Sequence, residues 1–192
     1  NCMRRLSIID IQKMKNKQRI ACLTSYTASI TKAIEQYVDV LLIGDSLGTV
    51  LYGRKNTQSV TLNMMKEHGK VVVQLSKRPF TIIDMPYKSY QNPKNALNNA
   101  LQLLDYTKCQ SVKVEVNEKN IKIVSHLALN EIKVVSHIGV TPQAFSNFSK
   151  IKIIGKTVEE KNKLLNLALN LENAGSSLIV LECITKEAAR EI

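Results

Sequence analysis

Six short apolar runs, rich in β-branched residues, alternate along the chain with segments of helical periodicity. The runs are RIACLTSY (19–26), VDVLLIGDS (38–46), PFTIIDMP (79–86), SVKVEV (111–116), KVVSHIG (133–139) and SSLIVLEC (176–183). The helical patterns cover residues 27–37, 61–77, 92–108, 117–130 and 158–175. Near-continuous apolar strands that alternate with helices are typical of a parallel sheet covered on both faces. This order leaves two architectures, an open doubly wound sheet or a closed α/β barrel.

Three acidic residues end successive apolar runs: Asp45, Asp84 and Glu115. An ionised carboxylate buried without a partner is costly, so acids attached to packed strands should converge on a cation or another polar partner. In a closed α/β barrel the carboxyl ends of the strands meet at one mouth, where such barrels hold their chemistry. The three positions therefore favour the barrel and predict a metal-dependent enzyme.

The length of the chain bears on how much of a barrel it can form. A closed (β/α)8 TIM barrel has eight strands and usually about 250 residues, whereas this chain has 192 residues and six predicted strands. We expect residues 1–192 to form a single α/β barrel domain of about six β/α units that lacks the last strands. Two predicted helix ends support the element bounds, because Asn92 can cap a helix begun by Pro93, and Gly175 can end the last long helix.

The formal net charge of +11 would suit a nucleic-acid binder, because clustered basic residues neutralise phosphates. Here the lysines are spread along nearly every segment, aromatic residues make up only 5%, and no RNA-stacking motif occurs. We interpret the charge as a solvated basic surface and expect no nucleic-acid partner.

No apolar stretch approaches the ~20 residues of a membrane span, and the N-terminal segment lacks a signal peptide's apolar core. We expect a soluble, cytoplasmic protein with no membrane partner.

The four cysteines, Cys2, Cys22, Cys109 and Cys183, form no CxxC pair. Reduced thiols are therefore expected rather than a disulfide framework or a zinc site.

Five segments carry a closer resemblance to a known family. They are GDSLG (44–48), DMPYKSY (84–90), KVE (113–115), SHIGVTPQ (136–143) and LEC (181–183). In this order and spacing they resemble the ketopantoate hydroxymethyltransferase family, from about Arg19 to the last residue. The resemblance implies a (β/α)8 barrel that transfers a hydroxymethyl group from 5,10-methylenetetrahydrofolate to the keto acid 3-methyl-2-oxobutanoate. The product would be ketopantoate, in pantothenate and coenzyme A synthesis. The resemblance also implies magnesium in the site, a magnesium-stabilised enolate and a homo-oligomer, usually a decamer.

The resemblance implies roles for seven residues. Asp45, Asp84 and Glu115 match metal-binding acids, of which Glu115 could act through water, and magnesium prefers such oxygen ligands. Ser46 and Lys113 match substrate-binding positions. Asp45 and Asp84 also match substrate-binding positions, in addition to their role in binding the metal. Glu182 matches the proposed general base, and we expect an apolar surround that raises its pKa. His137 could contact the substrate or be a structural histidine.

Several alternatives stay open at this stage. Ser46 could only cap its turn, and Lys113 could only pair with Glu115, which lies on the same face of the strand. His68 and His126 lie in helical patterns and are interpreted as packing or surface residues. The GDSLG loop does not predict nucleotide binding, because no complete phosphate-loop motif accompanies it.

The chain departs from the family's usual pattern at four places. These are Thr27, residues 54–57 (RKNT), and Val116 and Asn117, which replace a glycine pair. The changes put folate affinity and loop closure in doubt more than metal binding, because glycine permits close backbone approach.

Two rival functions are a related magnesium-dependent lyase or mutase acting on carbon–carbon bonds of keto acids, and a non-catalytic basic RNA-associated protein. The first rival would be expected to carry a cysteine loop, where this chain has Glu182.

Overall fold

The computed structural model describes residues 4–192, and all six predicted strands appear in it as one parallel sheet. The strands are β1 (Cys22–Thr24), β2 (Val40–Ile43), β3 (Phe80–Asp84), β4 (Ser111–Glu115), β5 (Val134–Gly139) and β6 (Ser176–Glu182). They lie side by side in chain order, each parallel to the next. A doubly wound sheet reverses its strand order at a switch point, so the uninterrupted order confirms the barrel-like arrangement.

Eight helices accompany the strands in the described part of the chain. They are α1 (Ile8–Met14), α2 (Ala28–Ile34), α3 (Leu47–Val50), α4 (Leu62–Leu75), α5 (Pro93–Thr107), α6 (Ile121–Leu129), α7 (Val158–Asn173) and α8 (Lys186–Glu191). Short 3-10 turns cover Pro142–Ala144 and Phe148–Lys150. The five predicted helices are confirmed as α2 and α4 to α7, whereas α1, α3 and α8 were not predicted. A signal for α1 was present, since Ser7 and Asp10 form a capping box.

The predicted helix ends are confirmed at both marked positions. The Asn92 side chain accepts a hydrogen bond from the Asn95 backbone N–H at 2.9 Å, and Pro93 opens α5. Gly175 follows α7 with a φ of 95°, a left-handed conformation that glycine adopts without a Cβ penalty.

The two faces of the sheet carry different residues because side chains alternate along each strand. The outward positions pack against the helices; they include Leu41, Ile43, Ile83, Val112, Val114, Val134 and Ile138. The inward positions form a second apolar cluster with α1; it contains Ile8, Ile11, Val40, Phe80, Ile82 and Val135. Helix α1 therefore fills the hollow of the sheet at one end, and the other end is left for polar side chains.

Within residues 4–192 the sheet is open, because β1 pairs only with β2 and β6 only with β5. The expected barrel is thus present as a six-stranded half-barrel. No helix in this part of the chain is long and apolar enough to cross a membrane. Cys22, Cys109 and Cys183 are free thiols, as predicted, and Cys2 lies outside the described residues.

Candidate active site at the carboxyl ends of the strands

The inward residues change from apolar to charged toward the carboxyl ends of the strands. On β3 they run from Phe80 through Ile82 to Asp84, so only the last position is ionisable. Strand register then sets charged residues beside one another, with Asp84 opposite Lys113. Further round the sheet, Glu115 lies opposite His137 and Gly139 opposite Glu182. Neighbouring parallel strands thus bring distant sequence positions into one cluster.

Asp45 and Asp84 form the pair at the centre of this cluster. The backbone N–H of Asp45 donates a hydrogen bond to Asp84 Oδ2 at 3.0 Å, and the two residues are 5% and 4% exposed. Next to this pair, a Cβ at Gly44 would lie 2.9 Å from Ser46 Oγ, so the glycine leaves room for the Ser46 side chain. The first glycine of the GDSLG loop therefore serves the placement of Ser46 beside Asp45.

Lys113 lies buried beside these acids. Its Nζ is 3.0 Å from Asp84 Oδ1 and 3.1 Å from His137 Nδ1. Burial alone lowers the pKa of Lys113, but the charges of Asp84, Asp45 and Glu115 outweigh it and raise the pKa above its ordinary value. The ammonium is thus charged at neutral pH. Its closest acidic partner is Asp84, so the simple pair with Glu115 that the strand pattern left open is not what forms.

Two of the acids resist ionisation in this setting. Burial, and next the charge of Asp84, raises the pKa of Asp45 to about 7. Burial also raises the pKa of Glu115 to about 8, although the charge of Lys113 opposes the shift. One ammonium therefore does not balance three neighbouring carboxyl groups, and a further cation would be attracted to them.

Glu182 and His137 occupy the side of the cluster nearest to β6. His137 Nε2 is 3.2 Å from Glu182 Oε2, and the Glu182 side chain is 40% exposed. This close contact with His137 lowers the pKa of Glu182 below its ordinary value. The expectation of a raised pKa in an apolar surround was therefore wrong, because a buried imidazole and partial solvent access stabilise the carboxylate. Glu182 is ionised at neutral pH and able to accept a proton.

Ser46 directly follows Asp45 and precedes Leu47, the first residue of α3. Its Oγ lies 2.5 Å from the hydroxyl oxygen of Tyr26 and makes no side-chain capping bond to α3. The capping interpretation is therefore wrong for this serine. The Tyr26 carbonyl in turn accepts a hydrogen bond from His68 Nδ1, whose other nitrogen lies 3.0 Å from the Tyr52 hydroxyl. His68 packs in helix α4 as predicted, and it holds the segment that carries Tyr26.

Two residues at the centre of the site, Gln143 and Tyr90, were quoted in motifs but given no role. Gln143 is 5% exposed, and its Nε2 donates hydrogen bonds to Asp45 Oδ2 at 2.7 Å and to the Met85 carbonyl at 3.0 Å. Its Oε1 accepts the hydrogen of the Tyr90 hydroxyl. Burial raises the pKa of Tyr90, so this hydroxyl stays protonated. The available signal was the position of Gln143 in the SHIGVTPQ motif, four residues after the end of β5.

The donor set fits a hard divalent cation. Asp84 Oδ1 and His137 Nε2 are among the few buried side-chain atoms of residues 4–192 without a well-aligned hydrogen bond. Lys113 contacts the first and Glu182 the second, but neither contact has hydrogen-bond geometry. In the same described part, no group of three or more His, Cys, Asp and Glu side chains is arranged to hold a metal alone. Asp84 Oδ2 accepts the backbone N–H of Asp45, whereas Glu115 Oε2 accepts the backbone N–H of Gln143 at 3.0 Å. Magnesium commonly keeps waters or substrate oxygens in its other positions.

The positions that depart from the family pattern have partners within this chain. Thr27 caps α2, and Arg54 donates to the Ser59 carbonyl at 2.6 Å. Val116 is 3% exposed in the core, and Asn117 accepts a hydrogen bond from the Lys119 backbone N–H at 2.9 Å. These residues are therefore accommodated by hydrogen bonds or burial within this chain. Their effect on folate affinity stays a prediction.

Fold and site together define a class: an α/β-barrel enzyme with a cluster of acids and one lysine at the carboxyl ends of its strands. Comparison of sequences identifies the family. A family model described as ketopantoate hydroxymethyltransferase matches residues 5–192. The chain belongs to the ketopantoate hydroxymethyltransferase family, as predicted from the sequence motifs.

Curated relatives agree with this family. The 3-methyl-2-oxobutanoate hydroxymethyltransferase of Pelagibacter ubique (strain HTCC1062) is 42% identical over 185 residues, which cover 96% of this chain and 71% of the relative. The enzyme of the same name from Anaplasma marginale (strain St. Maries) is 37% identical over 187 residues, which cover 97% of this chain and 68% of the relative. The hydroxymethyltransferase assignment is confirmed at this level.

Solved structures share the fold at much lower sequence identity. A crystal structure of 2,3-dimethylmalate lyase, described as a PEP mutase/isocitrate lyase superfamily member, has a TM-score of 0.68 and 14% identity. The match covers 96% of this chain and 66% of that one, so the chain spans slightly less than two thirds of that structure. Phosphonopyruvate hydrolase in complex with oxalate and Mg2+ has a TM-score of 0.66 and 10% identity, covering 86% of this chain and 58% of that one. At these identities the likeness shows the fold alone.

The raised pKa of Asp45 predicts a pH-dependent stability difference that can be measured without substrate. Unfolded Asp45 ionises near its ordinary pKa of 3.8, whereas folded Asp45 ionises near 7. Between these values the folded protein binds more protons, so its stability falls as pH rises. The Asp45→Asn variant does not lose stability in this way, because asparagine does not ionise. In a chelator its Tm should exceed that of the unmodified protein by about 3 °C or more at about pH 8, and by less at about pH 5.

Thermal unfolding followed by circular dichroism measures this difference. Magnesium should reduce it at high pH, because the ion binds the ionised Asp45 of the unmodified protein. A difference in Tm that does not vary with pH would contradict the electrostatic explanation.

Proposed function

We propose that this chain carries the active site that transfers a hydroxymethyl group from 5,10-methylenetetrahydrofolate to 3-methyl-2-oxobutanoate, giving ketopantoate. The observation that carries the proposal is the cluster at one end of the sheet. There a paired set of aspartates, a charged buried lysine and an ionised glutamate surround the same hollow. The names of the curated relatives support this substrate and product.

We propose that Asp45 and Asp84 hold magnesium, with Glu115 acting through water. The buried, incompletely satisfied Asp84 Oδ1 and the raised pKa of Asp45 support a cation at this point. A structural neighbour of the same fold contains oxalate, a small dicarboxylate, with Mg2+. When bound, magnesium would polarise the keto group as a Lewis acid and orient the keto acid.

The substrate's negative charge would face Lys113 and Ser46. Lys113 is ionised and held between Asp84 and His137, so its ammonium needs no rearrangement to meet a carboxylate. Ser46 would add a hydroxyl donor, oriented by Tyr26. His137 would keep both Lys113 and Glu182 in position from its buried place between them.

Glu182 would act as the general base that removes the proton from the carbon next to the ketone. Its lowered pKa means that it is ionised over the whole neutral range. A weaker base than first expected can serve if the substrate proton is acidified by polarisation of the ketone. The resulting carbanion equivalent would attack the methylene carbon of the folate after one of its two C–N bonds has opened, forming the new carbon–carbon bond. The second C–N bond would then break, tetrahydrofolate would leave, and water would supply the hydroxyl oxygen of ketopantoate.

The folate would enter through a cavity of about 310 Å3 that borders the acids. Glu115 and Gln143 form its inner wall, and Tyr87, Gln91 and Asn117 lie toward its opening. Aromatic faces and amide groups suit a flat heterocycle with hydrogen-bonding edges. Asn117 is one of the positions that differ from the family pattern, so this cavity is where altered folate affinity would arise.

We further propose that the six units belong to a single closed (β/α)8 barrel domain, which pairs the free edges of β1 and β6.

Free thiols in the described part of the chain suit the reducing cytoplasm, where we place the reaction. Exposed apolar side chains such as Tyr37 at 73% and Leu129 at 83% suit contacts in a homo-oligomer, a decamer by family resemblance.

The test separates proton removal from one-carbon transfer. Purified protein is incubated with magnesium and 3-methyl-2-oxobutanoate in deuterated water, with and without 5,10-methylenetetrahydrofolate. We expect deuterium at the carbon next to the ketone in both samples, and ketopantoate only when folate is present. Cleavage of the keto acid instead of exchange would favour a lyase, and absence of both reactions would reject the proposal.

Gly139→Ala should impair catalysis by displacing Glu182. A Cβ at Gly139 would lie 2.2 Å from the Glu182 carbonyl oxygen, and the φ of 98° disfavours a side chain. Strand β6 must then shift at the residue that carries the base. We expect the exchange rate to fall by roughly tenfold or more, since misplacement by about 1 Å can cost 100-fold.

Gly53→Ala is the matched control for this prediction. Gly53 also has a positive φ, 61°, but nothing lies within 4 Å of an added Cβ. This variant should lose about 1 kcal/mol of stability through backbone strain and keep its exchange rate. Equal exchange rates in the two variants would show that Gly139 does not position the base.

A further inference from the structure

Gln143 connects residues at the carboxyl ends of four different strands. Its side chain reaches Asp45 after β2, and the Met85 carbonyl and the Tyr90 hydroxyl after β3. Its own backbone N–H, in the turn after β5, donates to Glu115 Oε2 at the end of β4. One buried residue thus contacts two of the three acids assigned to the metal.

The direction of the hydrogen bonds through Gln143 follows from their donors. The backbone N–H of Glu115 donates to the Tyr90 hydroxyl oxygen at 3.3 Å, so the hydroxyl hydrogen is available to Gln143 Oε1. With Oε1 taken, the amide must turn its Nε2 toward the Asp45 carboxylate and the Met85 carbonyl. Tyr90 therefore determines which end of the amide faces Asp45.

We propose that Gln143, oriented by Tyr90, is the positioning residue that holds Asp45 in place to bind the divalent cation. Asp45 follows β2 in a loop, so no strand pairing fixes its side chain, unlike those of Asp84 and Glu115. The Gln143 amide replaces that constraint with a hydrogen bond of 2.7 Å to Asp45 Oδ2. Partners that orient ligating carboxylates typically contribute 10- to 100-fold to metal affinity. The inference rests on the proposed function, because it assumes a cation at Asp45 and Asp84.

Gln143→Met tests the inference, because it keeps the side-chain volume and removes the amide. The backbone bond to Glu115 remains in this variant, so only the contacts to Asp45, Met85 and Tyr90 are lost. We expect the Kd for Mn2+, measured by electron paramagnetic resonance of the free ion, to rise roughly 10- to 100-fold. The magnesium concentration for half-maximal exchange should rise in parallel, while the rate at saturating magnesium changes much less.

Tyr90→Phe provides a second variant that removes only one hydroxyl. The freed amide can then turn either way, so the Kd for Mn2+ should rise by about threefold to tenfold, the value of one neutral hydrogen bond. Agreement in direction between the two variants would support orientation of the amide as the cause. Folding of each variant is checked by circular dichroism.

Gln110→Met is the matched control at the opposite end of the sheet. The Gln110 side chain also makes three hydrogen bonds, two to Thr81 and one to the Leu6 carbonyl. It should lose stability without loss of Mn2+ affinity. Equal Mn2+ affinity in unmodified protein, Gln143→Met and Tyr90→Phe would overturn the inference. Absence of Mn2+ binding by the unmodified protein would instead reject the proposed metal site itself.

Discussion

Asp84→Asn is expected to reduce magnesium-dependent deuterium exchange on 3-methyl-2-oxobutanoate by about 1,000-fold or more. The substitution keeps the size of the side chain and removes its charge. A ligand charge that supports about 4 kcal/mol of transition-state stabilisation corresponds to a factor of this size. The rate of exchange, followed by NMR at saturating magnesium, measures the loss. Asp45→Ala should reduce exchange to a similar extent.

Loss of stability must be separated from loss of catalysis in this variant, because Lys113 would lose its buried ionic partner. The double variant Asp84→Asn with Lys113→Met removes the unpaired charge and should recover stability but not exchange. Asp39→Asn is a control at the other end of β2, where Asp39 is 8% exposed and lies 2.7 Å from Arg78. It should lower Tm and leave exchange unchanged. Exchange by Asp84→Asn within tenfold of the unmodified rate would contradict the metal assignment.

Glu182→Gln is expected to bind the keto acid and to lose proton exchange by about 100- to 10,000-fold, the usual contribution of a general base. Glutamine can still contact His137, so the local structure should hold. The dissociation constant of the keto acid, measured by calorimetry with magnesium present, should change by less than about threefold, since no charge pair with substrate is lost.

An exposed glutamate on the next helix provides the comparison for this variant. Glu187→Gln removes one carboxylate from the first turn of α8 and should exchange at the unmodified rate. If Glu182→Gln exchanged equally fast, Glu182 would not be the base. Another group, for which His137 is the nearest candidate, would then have to remove the proton.

The sheet could be predicted from the sequence because its information is local. Each strand is an apolar, β-branched run that matches burial on both faces, and each of the five longer helices has its own periodicity. Helix α1 was missed because its seven residues, Ile8–Met14, are short and its apolar side chains pack only within the hollow of the sheet. No local sequence pattern reveals that hollow, because it forms only when the strands pair.

The positions of the acids were predictable, and their electrostatic states were not. The order of residues along the chain places Asp45, Asp84 and Glu115 at the carboxyl ends of strands, and therefore at the same end of the sheet. The lowered pKa of Glu182 depends on His137, which is 45 positions earlier in the chain and beside Glu182 only because β5 pairs with β6. The expected rise in pKa was wrong for that reason.

The sequence by itself determined the alternation of strands and helices, the edge that bears the charges and the family to which the chain belongs. Tertiary structure alone decided which charges neutralise one another and which residue orients Asp45. The physical reason is that burial, register and hydrogen-bond direction are properties of neighbouring strands and loops. Lys113 pairs with Asp84 and Gln143 reaches Asp45 only after four strand ends have been brought together.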